Sequence, residues 1–179
     1  MGTNQRGQIV MSDDEIADFI RSHRTATFAT TGKDEQIHLV AMWYAALDAD
    51  PNSDAPITGP IPELWFETKE KSQKVVNLRR NPRLTALLED GLTYDELRGV
   101  SIEGVAEIHH DPETCLRVGI NVWERYNGPY TDDLRPAVEA MMNKRVAVRL
   151  VPQRVRSWDH RKLNLPEMPL AGSTAPNND

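Results

Sequence analysis

An antiparallel β-barrel decorated with helices, an α+β fold in which β dominates, is what this sequence predicts. Short β-branched and aromatic runs outnumber the helical patterns, and most neighbouring runs are joined by tight polar turns. Such turns leave no room for the crossover helices a parallel sheet requires. A length of 179 residues favours one domain, large enough to bury a core without staples.

The elements follow in order. Residues 1–11 read as a flexible arm. Ser12-Asp13-Asp14-Glu15 is a capping box, with Ser12 as N-cap and Glu15 three residues on. The helix it opens sets Ile16, Phe19 and Ile20 on one face and runs to Arg24. Residues 25–31 and 36–47 are β-rich runs around the turn Gly32-Lys33-Asp34-Glu35, and so form a hairpin. Residues 49–62 hold four prolines and read as a loop inserted after that hairpin.

A strand is predicted over 64–68 and a short helix over 72–80, stopped by Asn81-Pro82. Residues 83–89 and 98–110 are strands, with Gly104 marking a bulge in the second. Asp111 caps a helix over 112–126 whose first position is Pro112, and 134–143 is a shorter one. Two strands, 144–151 and 154–159, close the pattern, and 164–179 reads as a flexible tail. The folded domain is thus expected over 12–163.

Composition narrows the function classes. The single cysteine, Cys115, permits neither an internal disulfide nor a cysteine-based metal site, and reads as a packing thiol early in its helix. No apolar run approaches the ~20 residues that span a bilayer, and the first ten residues lack a secretory apolar segment. A cytoplasmic protein without a membrane span is the expectation. A net charge of −6 argues against nucleic acid as the main partner. The charge is uneven, however: Lys69, Lys71, Lys74, Arg79, Arg80 and Arg83 face one acid, Glu70, so this segment carries +5. A basic island in an acidic chain suits a small anion.

The usual catalytic signatures are absent: there is no G-x-G-x-x-G after a strand, no Walker loop, no H-E-x-x-H and no G-x-S-x-G. Adjacent His109 and His110 point to opposite faces of a strand and read as a solvated strand end. The informative stretch is 63–89, where a strand delivers the chain to Thr68, a basic turn follows and a helix begins at Ser72. Free N–H groups and a partial positive charge make a helix N-terminus suited to phosphate, with Lys71 and Lys74 beside it and the Ser72 hydroxyl available. A solvated amphipathic helix, with Arg79 and Arg80 complementing its C-terminal dipole, fits the same spacing, which does not choose between the two.

The run Lys74-Val75-Val76-Asn77-Leu78-Arg79-Arg80-Asn81-Pro82-Arg83 resembles the helix-to-strand corner K-x-x-N-L-x-x-[ND]-P-R of the pyridoxamine 5'-phosphate oxidase-like superfamily. The hairpin from Ala29-Thr30-Thr31-Gly32 to Tyr44 resembles that group's opening hairpin, with Asp34-Glu35 where Asp-Gly is common. Gly99-Val100 to Ala106-Glu107 and Ser157-Trp158-Asp159 resemble its later strands, so the likeness spans roughly 12–163. It implies an antiparallel split β-barrel of the FMN-binding type, and the chain looks nearest the actinobacterial branch that uses the deazaflavin F420.

The resemblance further implies a homodimer with a shared cofactor pocket. It places the cofactor phosphate at Lys71, Ser72 and Lys74, with Lys69 in the same basic turn, and the ring along Val40, Met42 and the strand end at Thr68. Trp158 of the partner subunit is expected to close the pocket, and Arg79 and Arg80 to neutralise a glutamate tail. The implied activity is hydride transfer from reduced F420 to a small electron-poor substrate, the cofactor carrying the redox chemistry. FMN-dependent oxidase or reductase activity and non-catalytic storage of F420, FMN or haem stand as alternatives. His38, which shares a strand face with Val40 and Met42, is a candidate for proton delivery or else a plain strand-edge histidine. Alternation puts Met42 and Tyr44 on one strand face and Trp43 on the other, one set in the core and the other at a dimer interface.

Overall fold

The computed structural model describes residues 5–48 and 60–168. In chain order the elements are α1 (Gln5–Gln8), α2 (Asp13–Ser22), β1 (Ala26–Thr31), β2 (Ile37–Met42), β3 (Ala45–Leu47), β4 (Glu63–Lys69) and α3 (Gln73–Arg80). They continue as β5 (Arg83–Asp90), β6 (Arg98–His109), α4 (Pro112–Tyr126), α5 (Arg135–Met142) and β7 (Arg145–Asp159). All pairings are antiparallel, in the order β2-β1-β5-β6-β7-β4-β3. The two edge strands, β2 and β3, are separated in the chain by Trp43 and Tyr44 alone. The sheet must therefore curl until its edges meet at that corner, which makes the predicted split barrel.

The strand expected over 36–47 is in fact two. Tyr44 is fully buried, its Oη lying 2.6 Å from the Ile20 carbonyl oxygen and 2.8 Å from that of His23. Its backbone N–H donates to Tyr126 Oη at 3.0 Å, so the chain leaves the β1 ladder there and enters the opposite edge beside β4. The two closing strands expected over 144–151 and 154–159 are, conversely, one strand, β7. Pro152 is tolerated because β7 loses its β4 neighbour after Leu150. The missing N–H is then accommodated on one side only, opposite Gly104, where the register shifts. A Cβ at Gly104 would collide with the Val151 carbonyl, so the bulge predicted there also requires glycine.

Alternation along the strands builds two apolar layers. Phe28, Leu64, Phe66, Leu84, Leu88, Val100, Val148 and Leu150 fill the interior with Ile16, Phe19 and Ile20 of α2 and Val75 and Leu78 of α3. The Phe28 and Phe66 rings lie 4.5 Å apart at its centre. On the outer face, Ala45, Trp65 and Ala147 pack against Cys115, Val118 and Val122 of α4 and Met142 of α5. Cys115 is a buried packing thiol, and burial pushes its pKa up.

Both predicted caps are present: Ser12 and Glu15 close the capping box on α2, and Asp111 accepts from the Thr114 N–H on α4. Of the arm expected over 1–11, residues 1–4 lie outside the described residues, and its end at Ile9 and Met11 is docked. The Asp159 N–H donates to the Ile9 carbonyl at 2.7 Å, the Met11 N–H to Ser157 Oγ at 3.0 Å, and Met11 is buried. Residues 49–59 of the proline-rich loop and 169–179 of the expected tail lie outside the described residues. Among the described residues no helix is long and apolar enough to cross a membrane.

Candidate functional site

Strand β4 turns Leu64, Phe66 and Thr68 toward the barrel interior, and the chain then bends through the basic turn into α3. Ser72 takes the N-cap position with extended backbone, yet no side chain caps the helix. Its hydroxyl instead accepts from Thr68 Oγ1 at 3.3 Å, while Lys74 Nζ donates to Thr68 Oγ1 at 3.0 Å. The buried threonine thus ties Ser72 and Lys74 into one polar cluster at an open helix N-terminus.

The electrostatics of this corner are cationic. Lys71 is exposed and, like Lys74, has no ion-pair partner among the described residues. Burial holds the Lys74 pKa below the usual lysine value, and Arg145 pushes the same way while Glu67 opposes it. A half-buried ammonium bonded only to a neutral hydroxyl is short of negative charge. Lys69 is spent elsewhere, donating to the Asn143 carbonyl at 2.9 Å. Arg79 is held by Glu70 at 2.9 Å on the surface, and Arg80 donates to the Thr31 carbonyl at 2.6 Å.

The opposite side of α3 faces the first hairpin. Gln73 donates to Asn77 at 2.8 Å, and Asn77 Nδ2 donates to Thr30 Oγ1 at 3.0 Å between two buried residues. Gln73 and Asn77 line a cleft of about 710 Å³ with Gly32, Asp34, Ile37 and His38. The buried Nδ1 of His38 has no hydrogen-bond partner among the described residues. Gln73 was not singled out in the sequence and Asn77 entered only within the K-x-x-N-L run, although an asparagine inside a helix is itself a signal, because its side chain competes with helical hydrogen bonds unless a partner holds it.

Strand β2, expected to bear the ring, is placed as alternation requires. His38, Val40 and Met42 of β2 are half-buried on one face, and Met42 packs against the interior cluster. Ile37, Leu39 and Ala41 are exposed on the other, and Trp43 beyond them stacks on Tyr126 with ring centroids 4.4 Å apart. Trp158 does not join the α3 corner within one chain. It stands across from Gly99, whose missing Cβ makes room for the indole, and lines a separate cleft of about 690 Å³ with Met11, Arg156 and His160.

An uncapped helix start with two unpaired lysines and a hydroxyl fits a phosphate, since N–H dipoles and ammonium groups together supply what its oxygens accept. The orphaned His38 nitrogen marks the adjoining cleft as short of a polar partner.

The sequence model of the pyridoxamine 5'-phosphate oxidase family matches residues 12–159. Among solved structures, a conserved hypothetical protein from Mycobacterium tuberculosis is 61% identical, with a TM-score of 0.85 over 97% of this chain and 100% of that one. An F420 reductase is 24% identical, with a TM-score of 0.53 over 77% of this chain and 93% of that one. A heme storage protein from Vibrio cholerae is 14% identical, with a TM-score of 0.58 over 82% of this chain and 95% of that one. At their low identities the last two likenesses concern the fold. No curated protein matches the chain.

Proposed function

The chain belongs to the pyridoxamine 5'-phosphate oxidase family, and on that premise we propose that it is an F420-dependent reductase acting on a small electron-poor organic molecule. The observation that carries the reading is the open N-terminus of α3, where Ser72 and the unpaired Lys71 and Lys74 would hold the cofactor phosphate. Lys69 would supply background positive charge, and Arg79 and Arg80 would face the glutamate tail. Val40 and Met42 would bear the ring beside Thr68. The F420 reductase among the similar folds is what favours deazaflavin over FMN in this reading.

Bound deazaflavin would supply hydride chemistry, and this chain's part is to bind, orient and exclude water. The ammonium of Lys74, already half-buried, gains a counter-charge when an anion arrives. His38 could hold a proton at its unpartnered Nδ1, on the face it shares with Val40 and Met42.

The proposal includes a homodimer. Ile37 (61% exposed), Leu39 (62%) and Trp43 (54%) leave an apolar stripe on the outer face of edge strand β2. A second copy would cover it and bring its own Trp158 toward the pocket.

Equilibrium binding of F420 and FMN, side by side, tests the reading. Tighter F420 binding, followed by turnover of enones or quinones with reduced F420, is the expected result. A purified protein yellow with FMN, or showing a haem Soret band, would replace it with one of those cofactors. Failure of every cofactor to bind would end it.

A further inference from the structure

We propose that the cleft between α4 and α5 is a second binding site, one that takes a small amphipathic carboxylate. The cleft measures about 960 Å³, within the ~300–1,000 Å³ usual for small-molecule sites. It lies on the outer layer of the molecule and borders the corner assigned to the cofactor, since Asn143, one of its lining residues, accepts from Lys69. Leu116, Ile120, Cys115 and Met142 line it with apolar surface, and Arg117, Arg135, Arg145, Glu113 and Glu139 supply its charges.

Those charges are matched in part. Glu139 is matched by Arg135 at 2.8 Å, one turn away on α5. Glu113 stands in the first turn of α4, where the helix dipole favours an acid. Arg117 has no hydrogen bond or ion pair among the described residues; its guanidinium lies over the Trp65 ring, 5.5 Å from the centroid. Arg145 spends one Nη on Glu67, and its Nε is buried without an acceptor. A guanidinium offers five donors in a planar fork suited to a carboxylate, and these two have most of theirs unused. Glu139 and Glu67 are already engaged by Arg135 and Arg145, so Arg117 is the cation left to meet an acceptor anion in the cleft. The apolar lining then selects among anions: a bare phosphate would leave Leu116, Ile120 and Met142 uncovered, whereas an aliphatic or aromatic acid would bury them.

Titration calorimetry on the full chain with octanoate, and with 1-octanol as its uncharged counterpart, tests this. Octanoate is expected to bind saturably, and both octanol on the wild type and octanoate on Arg117→Glu to bind about tenfold or more weakly. Arg117 is exposed, so the variant should keep its thermal midpoint. Lys74→Ala should bind octanoate as the wild type does, which separates this cleft from the α3 corner and makes the result independent of the cofactor reading. Absence of saturation in the millimolar range, octanol binding equal to octanoate, an unaffected Arg117→Glu, or a loss in Lys74→Ala instead would each overturn the proposal.

Discussion

Asn77 Nδ2 donates to Thr30 Oγ1 across 3.0 Å, and both residues are buried. This bond fastens the helix bearing the basic corner to the hairpin bearing the candidate ring-binding strand. Asn77→Ala would strand the threonine hydroxyl and free Gln73. A loss of about 1–3 kcal/mol is expected, read by urea unfolding, together with weaker cofactor binding because α3 is no longer held to β1.

Lys74 and the two arginines of α3 should separate by ligand. Lys74→Ala is expected to weaken F420 and FMN alike by about 1.5–3 kcal/mol, the scale of a charge-assisted hydrogen bond. Replacing Arg79 and Arg80 together by Ala should weaken F420 at low salt and spare FMN, which has no glutamate tail. Equal effects on both ligands in a fluorescence titration would remove the tail from these residues.

The same lysine predicts a pH profile. Burial lowers its pKa, so the ammonium disappears at a lower pH than in an ordinary lysine. Anion affinity is then complete below that folded-state value and falls as pH rises through it. In Lys74→Arg the fall should move further into alkali, because a guanidinium keeps its charge. Binding curves collected from neutral to alkaline pH would show the shift, and coincident profiles would contradict it.

His23 sets the acid side of stability. Its ring stacks on Phe19, centroids 5.1 Å apart, and burial lowers its pKa from 6.5. The neutral ring is the form the fold prefers, so its contribution is complete above 6.5 and is lost as pH falls toward the depressed folded value. Thermal midpoints of His23→Phe should decline less over that interval than those of the wild type.

Leu39 tests the dimer. At 62% exposed it contributes nothing to the interior, so Leu39→Glu should leave the monomer folded. Sedimentation at micromolar concentration is expected to show a dimer for the wild type and a monomer for the variant. A monomeric wild type would remove the shared pocket.

What could be read in the chain was local. The capping box at Ser12 and Glu15, the cap at Asp111 and the stop at Asn81-Pro82 join residues a few positions apart, where chain geometry leaves few alternatives. The choice of Thr68, Ser72 and Lys74 was legible for the same reason, since they span six positions, but the hydrogen bonds that join them were not. The break at Tyr44 was not, because the groups that draw the chain out of β2 belong to α2 and to Tyr126, 82 positions away. Nor was the continuity of β7, where the neighbours on either side decide whether a proline can stay.

By itself the sequence determined the alternation, the caps and the basic turn, and with them a mainly antiparallel barrel with a cationic corner. Only the tertiary structure decided which cations are free to act there. Arg79 found Glu70, Lys69 found the Asn143 carbonyl, and among the described residues Lys71 and Lys74 found no acid. Charge is a property of a residue, but its availability depends on partners brought near by folding, and pairs 74 positions apart leave no periodic trace in the chain.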